Sequence, residues 1–529
     1  MKRLSLFLMA LAYLALPCGA ETPPIEDYIT RSWEFLERNL QDLPAAAEDP
    51  KLGERERYPV YLAPTENLTK VQARLESELS PEQLDKVELR SLPDDVISSP
   101  QLQGDMDHHG LLYLPHPYVV PGGRFNEMYG WDSYFINLGL LDSGRIGQAR
   151  LMVENHLYQV RHYGRVLNAN RTYYLTRSQP PFLASMVADV YRYTGDKKWV
   201  EEALPALVST YRFWNSAPHL TPETGLSRYY DLGEGPAPEV LAGEKDESGL
   251  THYDRIKADF RKYTGLTESE QIEKLGYPLS LYYDAGADEL TPLFYKGDRS
   301  MRESGYDPSD RFGRFNIDVI HYNPVDLNSL LYQYELEMGR LFAQLDRPEQ
   351  ASDWFDLAEE RKEKMQRFLW DEESGLFLDY NFRTGQRRDY PFATTYFPLW
   401  TGWSTPAQAA SVWKNGELFL KPGGIVTSTY RSGNQWDSPF GWAPLQLVAA
   451  EGLARYGYLR QASEVAKAFL SLVRQEYQKS GTIVEKYDVV NRTSNVSAGI
   501  EYGYSSNEIG FGWTNAVYLR LKPLVVLNP

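Results

Sequence analysis

Residues Met365–Asn381 read "MQRFLWDEESGLFLDYN". A helical pattern of apolar and charged residues ends at Trp370. A Ser-Gly turn follows, and a short extended piece closes on a polar residue. The same order occurs twice more in the chain. "TYRFW" (Thr210–Trp214) precedes "TGLSRYYD", which ends at Asp231, and "RQEYQ" (Arg474–Gln478) precedes "SGTIVEKYD", which ends at Asp488. A repeated unit of helix, glycine turn and extended piece is the mark of stacked helical hairpins, as in solenoids or closed toroids. In such a stack the extended pieces lie at one rim and present side chains inward.

Helical periodicity between these units supports an all-α class. "FLASMVADVYRYTGD" (Phe182–Asp196) follows two prolines and ends at a glycine, the usual punctuation of a helix. Further helices are expected at "VEEALPALVSTYRFW" (Val200–Trp214), Val325–Leu345, Glu349–Leu369, Pro406–Lys414, Trp442–Arg455 and Tyr458–Tyr477, each with one apolar stripe. Residues 21–118 are less periodic and proline-rich, and read as an N-terminal extension packed on a helical domain spanning 119–529.

Residues 1–20 read as a secretory signal peptide: Lys2 and Arg3, an apolar run from Leu4 to Leu16, and small residues up to Ala20. The apolar run is too short to span a bilayer ~30 Å thick as a helix. A periplasmic or secreted protein is therefore expected, with no membrane association after the leader is removed. Cys18 is the only cysteine, so disulfide and thiol chemistry leave with the leader. The net charge of −17 disfavours nucleic acid and anionic membrane as partners, since both need basic patches. With 42% hydrophobic residues, 529 residues suffice for a large core, and a monomer is expected.

Phosphate-loop, dinucleotide and nucleophilic-serine motifs are absent. His108-His109 lacks the i, i+4 spacing of helical metal ligands and reads as loop, so no metal or other cofactor is expected. What remains is carboxylates set among Trp, Tyr, Asn, Gln and Arg, in "PGGRFNEMYGWDSYF" (Pro121–Phe135), "NANRTYYLTRSQPPF" (Asn168–Phe182), "ESGYDPSDRF" (Glu303–Phe312), "GNQWDSPFGWAP" (Gly433–Pro444) and "VEKYD" (Val484–Asp488). Burying charge in aromatic surface costs several kcal/mol unless it is paired, which leaves two readings: a structural ion-pair knot or a grip on a polar, hydroxylated ligand. Sugar rings stack on aromatic faces, and their hydroxyls take planar partners of these types. Glycoside cleavage needs one protonated and one ionised carboxyl group.

"PGGRFNEMYGWDSYF" and "QWDSPFGWAP" resemble the two signature stretches of the trehalase family, glycoside hydrolase family 37. "NANRTYYLTRSQPP", "ESGYD", "VEKYD" and "GFGWTN" (Gly510–Asn515) extend the resemblance in the family's order over about 120–515. The resemblance implies an (α/α)₆ toroid with short β-hairpins and loops at the active-site rim. It implies cofactor-free hydrolysis of the disaccharide α,α-trehalose to two glucose molecules, with inversion. By position, Asp307 would be the general acid and Glu485 the general base. Arg124, Trp131, Asp132, Asn168, Arg177, Gln179, Glu239, Gly305 and Glu501 would contact sugar, and Gln435, Trp436 and Trp442 would line the pocket.

Three departures from the family pattern bear on substrate. The family's Arg-Pro-Glu is here Ala237-Pro238-Glu239, which leaves open another small α-glucoside as substrate of an inverting hydrolase. A non-catalytic sugar binder is a third reading, disfavoured by the retention of both carboxylates. Tyr306 stands for the usual Trp before the acid, and Glu501 lies one residue further from the base than the pattern predicts.

Overall fold

Gly225, Gly375 and Gly481, the glycines of the three echoing turns, share one backbone conformation, with φ of +67°, +66° and +70°. Only glycine takes this left-handed region at no steric cost, and at Gly481 it ends a 22-residue helix. The echo in the sequence is therefore a repeated backbone device. This computed structural model describes residues 22–49, 51, 53–94, 109–241, 249–504 and 506–526. The expected leader at 1–20, and His108, lie outside the described residues.

Thirteen helices carry the architecture: α1 (Ile25–Leu36), α2 (Gly130–Asp142), α3 (Ile146–Tyr163), α4 (Leu183–Thr194), α5 (Lys197–Trp214), α6 (Pro292–Ser304), α7 (Val325–Gln344), α8 (Pro348–Leu369), α9 (Phe397–Thr401), α10 (Pro406–Lys414), α11 (Ala443–Arg455), α12 (Leu459–Ser480) and α13 (Gly512–Val526). The order α2, α4, α7, α9, α11, α13 forms a closed ring in which each helix packs on the next and α13 returns to α2. Around it, α3 packs on α2 and α4, α5 on α4 and α7, α8 on α7, α12 on α11 and α13, and α1 on α13. This is the (α/α)₆ toroid. Burial separates the layers: twelve of the thirteen residues of α2 are buried, against five of the twenty-two of α8. Inner helices are buried over more of their circumference than outer ones, which bury a single stripe. The core is continuous through the ring, and Trp33 of α1 lies fully inside it.

Short strands decorate one end. These are β4 (Tyr322–Asn323), β5 (Trp370–Asp371), β6 (Leu376–Phe377), β7 (Tyr380–Asn381), β8 (Phe440–Trp442) and β9 (Lys486–Asp488). Strands β5 and β6 form a hairpin around Gly375, β7 pairs with β4, and β8 pairs antiparallel with β9, setting Trp442 opposite Lys486. Preceding α2 in the chain, β1 (Tyr58–Leu62) is flanked by β2 (Val87–Ser91) and β3 (Leu111–Leu112), all parallel. The irregular periodicity of that region did not foretell this sheet.

Buried charge ties the rim to the ring. The Arg311 guanidinium, fully buried, donates to both oxygens of Asp379 at 2.7 and 2.6 Å and to Asp326 of α7 at 2.6 Å. Asp379 also accepts the Val325 backbone N–H at the start of α7. Paired in this way a buried charge is tolerable, and removing one partner typically costs about 3–5 kcal/mol.

The ring closes where its last helix meets its first. A Cβ at Gly139 of α2 would lie 2.6 Å from the Ala516 Cβ, 2.8 Å from its Cα, and 2.8 Å from Trp33. The backbones of α2 and α13 approach that closely only because position 139 has no side chain. Gly139→Leu is expected to lower the unfolding free energy by about 1–3 kcal/mol or more through overpacking. The readout is a lower urea midpoint with unchanged slope, and a variant as stable as the parent would refute the close seam.

Candidate active site

The strands and helix ends at the rim enclose a cavity of about 340 Å³. Of the residues expected from sequence, Arg124, Trp131, Asp132, Asn168, Arg177, Gln179, Glu239, Gly305, Asp307, Gln435, Trp436, Trp442 and Glu485 all line it. Glu501 does not. It is exposed, with its side chain over Gly433 and its backbone N–H bonded to the Gly433 carbonyl. Gly503 and Tyr504 reach the cavity instead.

Asp307 stands just past the C-terminus of α6. Gly305 ends that helix at φ +79°, and a Cβ there would sit 3.0 Å from the Trp131 indole, so the turn needs glycine twice over. Gln435 donates to the Asp307 carbonyl at 2.5 Å, and the Trp436 N–H donates to the Pro308 carbonyl at 3.1 Å. The second signature therefore clamps the loop that carries Asp307. Burial pushes the Asp307 carboxyl up to about 7, against the pull of Arg302 and Arg177. Arg302 lies 3.7 Å from it and is anchored to Asp298 at 3.1 Å.

Glu485 stands on the rim piece immediately before β9. Its N–H donates to the Glu508 carbonyl at 2.8 Å, and its carbonyl accepts from the Trp513 indole at 3.1 Å. "GFGWTN" is thus the start of α13 gripping the backbone of Glu485. Burial raises the carboxyl of Glu485 above the usual glutamate range, opposed by Lys486 and by a hydrogen bond from Tyr504. Asp132, in the first turn of α2, is raised well above the usual aspartate range by burial and then by the charges of Glu485 and Asp307.

Aromatic rings form one wall. Trp436 and Trp442 stack at 3.8 Å and 5°, and Trp131 meets Trp436 at 5.7 Å and Tyr306 at 5.5 Å. Tyr306 is fully buried, so it keeps the packing role of the expected Trp without lining the cavity. The opposite wall is charged. Arg177 donates to Asp231 at 2.8 Å and to Glu239 at 2.5 Å. Asp231 ends the first of the three echoing pieces. Asn168 bonds to the carbonyls of Ser178 and Arg302, and Gln179 accepts the Trp131 N–H at 2.9 Å. Arg124 sits at the mouth, half exposed, 3.7 Å from Glu508 and 4.3 Å above the Tyr504 ring.

Four buried polar atoms on lining residues have no hydrogen-bond partner among the described residues: Arg177 Nη2, Glu239 Oε2, His252 Nε2 and Glu485 Oε2. Buried polar groups are nearly always paired, so unpaired ones converging on one cavity mark it as built for a polar ligand.

Sequence reasoning missed Arg302, Tyr504 and Lys486. Arg302 could have been found as the residue one helical turn after Asp298, ahead of "ESGYD". Tyr504 lies in a loop with no periodicity to place it.

Comparison with known proteins agrees with the fold. The sequence profile of the Trehalase family matches residues 26–524. A cytosolic neutral trehalase from Kluyveromyces lactis is 38% identical over 440 residues, 77% of this chain and 56% of that protein. One from Saccharomyces cerevisiae is 38% identical over 441 residues, again 77% and 56%. The chain thus spans about half the length of these curated relatives. The solved structure of neutral trehalase Nth1 from Saccharomyces cerevisiae superposes with a TM-score of 0.76 at 33% identity, covering 94% of this chain and 93% of that one. The expectation of a periplasmic or secreted location is overturned by these relatives, since those from Kluyveromyces lactis, Saccharomyces cerevisiae, Emericella nidulans and Neurospora crassa are all named cytosolic. Among the described residues no helix is long and apolar enough to cross a membrane. With the profile matched along nearly its whole length and a related structure superposing on its toroid, the chain belongs to the trehalase family.

Proposed function

We propose that the protein hydrolyses α,α-trehalose to two glucose molecules with inversion, with Asp307 as general acid and Glu485 as general base. The observation that carries this reading is a single aromatic-walled cavity holding two carboxyl groups in unlike surroundings. Burial pushes the Asp307 carboxyl up to about 7, so a share of it carries a proton near neutrality. Glu485 has a lysine and a tyrosine hydroxyl against it, both favouring its ionised form. Environments that push two carboxyls toward different protonation states assign an acid and a base.

In the reaction Asp307 gives its proton to the glycosidic oxygen as the bond to the anomeric carbon breaks. Water attacks that carbon from the opposite face and passes a proton to Glu485. Arg177, Glu239, Asn168 and Asp132 hold hydroxyls, and the indoles of Trp131, Trp436 and Trp442 take the C–H faces of the ring. Ala237 is fully buried and does not line the cavity, so position 237 supplies no cation. Arg302 supplies a guanidinium from α6 beside Asp307 and supports trehalose as the substrate.

Asp307→Asn and Glu485→Gln should each lower kcat by about 10²–10⁴-fold with trehalose binding by calorimetry retained; near-normal kcat in either would refute its role. Among trehalose, sucrose, maltose and glucosylglycerate, trehalose should give the highest kcat/KM. Proton NMR should show α- and β-glucose appearing together; initial release of α-glucose alone would exclude inversion.

The pH profile tests the acid. A group acting as acid must be protonated, so kcat/KM should fall as pH rises through about 7. Arg302 favours the carboxylate. Its removal in Arg302→Gln raises the Asp307 pKa, and the basic limb should move to higher pH. A limb that stays fixed would separate Arg302 from Asp307.

A further inference from the structure

The carboxylate of Glu485 has two oxygens in different company. Oε1 accepts a short hydrogen bond from the Tyr504 hydroxyl. Oε2 is buried, lies 3.5 Å from the Lys486 ammonium, and has no hydrogen-bond partner among the described residues. Two cations lie against the ring of Tyr504. The Lys486 ammonium lies 3.6 Å from its ring centroid and the Arg124 guanidinium 4.3 Å. Two cations on one ring supply cation–π attraction and favour the hydroxyl's donation to a carboxylate.

The backbone around Tyr504 is held to the same strand. Lys486 donates to the Tyr504 carbonyl at 3.2 Å and to Gln435 Oε1 at 3.1 Å. Asn507 donates to the Lys486 carbonyl at 2.8 Å and accepts its N–H at 3.2 Å. A Cβ at Gly503 would lie 2.7 Å from the Gln435 side chain, so the loop reaches the cavity by a path only glycine allows, at φ +109°.

We infer that Tyr504 is the positioning residue of the catalytic base: it engages Oε1 of Glu485 and so assigns Oε2 as the oxygen that takes the proton from the attacking water. This rests on Glu485 being the base. The step balances without a further reactant. The water oxygen bonds to the anomeric carbon as the glycosidic bond breaks, one water proton passes to Glu485 Oε2, and the proton of Asp307 goes to the departing sugar oxygen. Tyr504 keeps its own proton throughout and its hydroxyl donates to Glu485, so it acts through the base.

Tyr504→Phe keeps the ring and its cation contacts and removes only the hydroxyl. The groups facing Glu485 are then Lys486 on its own strand, Glu508 on the following loop, Arg124 on the loop before α2, and Asp132 in α2, with Asp307 beyond them. A carboxylate that loses a donor is harder to ionise. The acidic limb of kcat/KM should therefore move up by about one pH unit. At the pH optimum kcat should fall about tenfold, while KM changes less than about threefold and the melting temperature holds. A structural role for the hydroxyl would instead raise KM or lower the melting temperature with the limb unmoved, and that result overturns the inference. Glu485→Gln run in parallel separates the two levels. If Glu485→Gln abolishes turnover and Tyr504→Phe leaves the limb in place, only the positioning role fails; if Glu485→Gln remains active, the base assignment fails with it.

Discussion

The contact of Gly139 with Ala516 and Trp33 is where the toroid becomes a ring and not an open stack. Helices α2 and α13 are nearly four hundred residues apart in sequence, and their seam is closer than any side chain at position 139 would permit. An open array of helical hairpins would leave inner faces wet at both ends. Closure buries the inner layer completely, which is why α2 and α11 tolerate apolar residues on nearly every face. The seam also lies under the site. Trp131 is in the first turn of α2 and Trp513 in the first turn of α13, with ring centroids 5.8 Å apart, so the closure that seals the core sets two cavity residues side by side.

A dry, closed centre makes the charges at its mouth consequential. The same burial that raises Asp307, Glu485 and Asp132 would expel them all if nothing answered it. The answer is graded. Arg177, with two carboxylate partners, holds Glu239 and Asp231 below their ordinary range. Asp307 has only a longer contact with Arg302 and ends near 7. Glu485 is raised by burial but opposed by Lys486 and Tyr504. Distance and number of donors, not residue type, separate the carboxyls held below their ordinary range, Glu239 and Asp231, from those that burial raises, Asp307, Glu485 and Asp132.

The helices were legible because the physics that forms them is local. Val325–Gln344, Pro348–Leu369 and Pro406–Lys414 lie within a residue of the periodic segments, and the glycine turns announced themselves by spacing. Helix α2 was hidden inside a motif: "GWDSYFINLGLLD" is apolar on every face and shows no stripe to read. The parallel sheet of β1–β3 was hidden because its pairing joins segments separated by helices and by irregular chain. Site composition was equally legible. Thirteen of the fourteen expected residues line the cavity because aromatic-flanked charges are costly anywhere else. Position along a loop was not. Glu501 was placed by family resemblance, and it stands exposed in an irregular segment where no periodicity could have corrected the register.

Ala237 shows how composition can mislead about a site even when every motif is in place. Read alone, a lost arginine beside Glu239 removes a cation from the pocket. In three dimensions the backbone N–H of Ala237 is taken by the Tyr253 hydroxyl, which also bonds Asp298, and Asp298 is the carboxylate that anchors Arg302 beside Asp307. The backbone at 237 thus belongs to a network whose far end delivers a guanidinium to the cavity from α6. Charge in a closed cavity is a property of its whole wall. A substitution at one motif position is interpretable only once the donors from neighbouring elements are counted, and here Arg177 and Arg302 line the cavity, with Arg124 at its mouth.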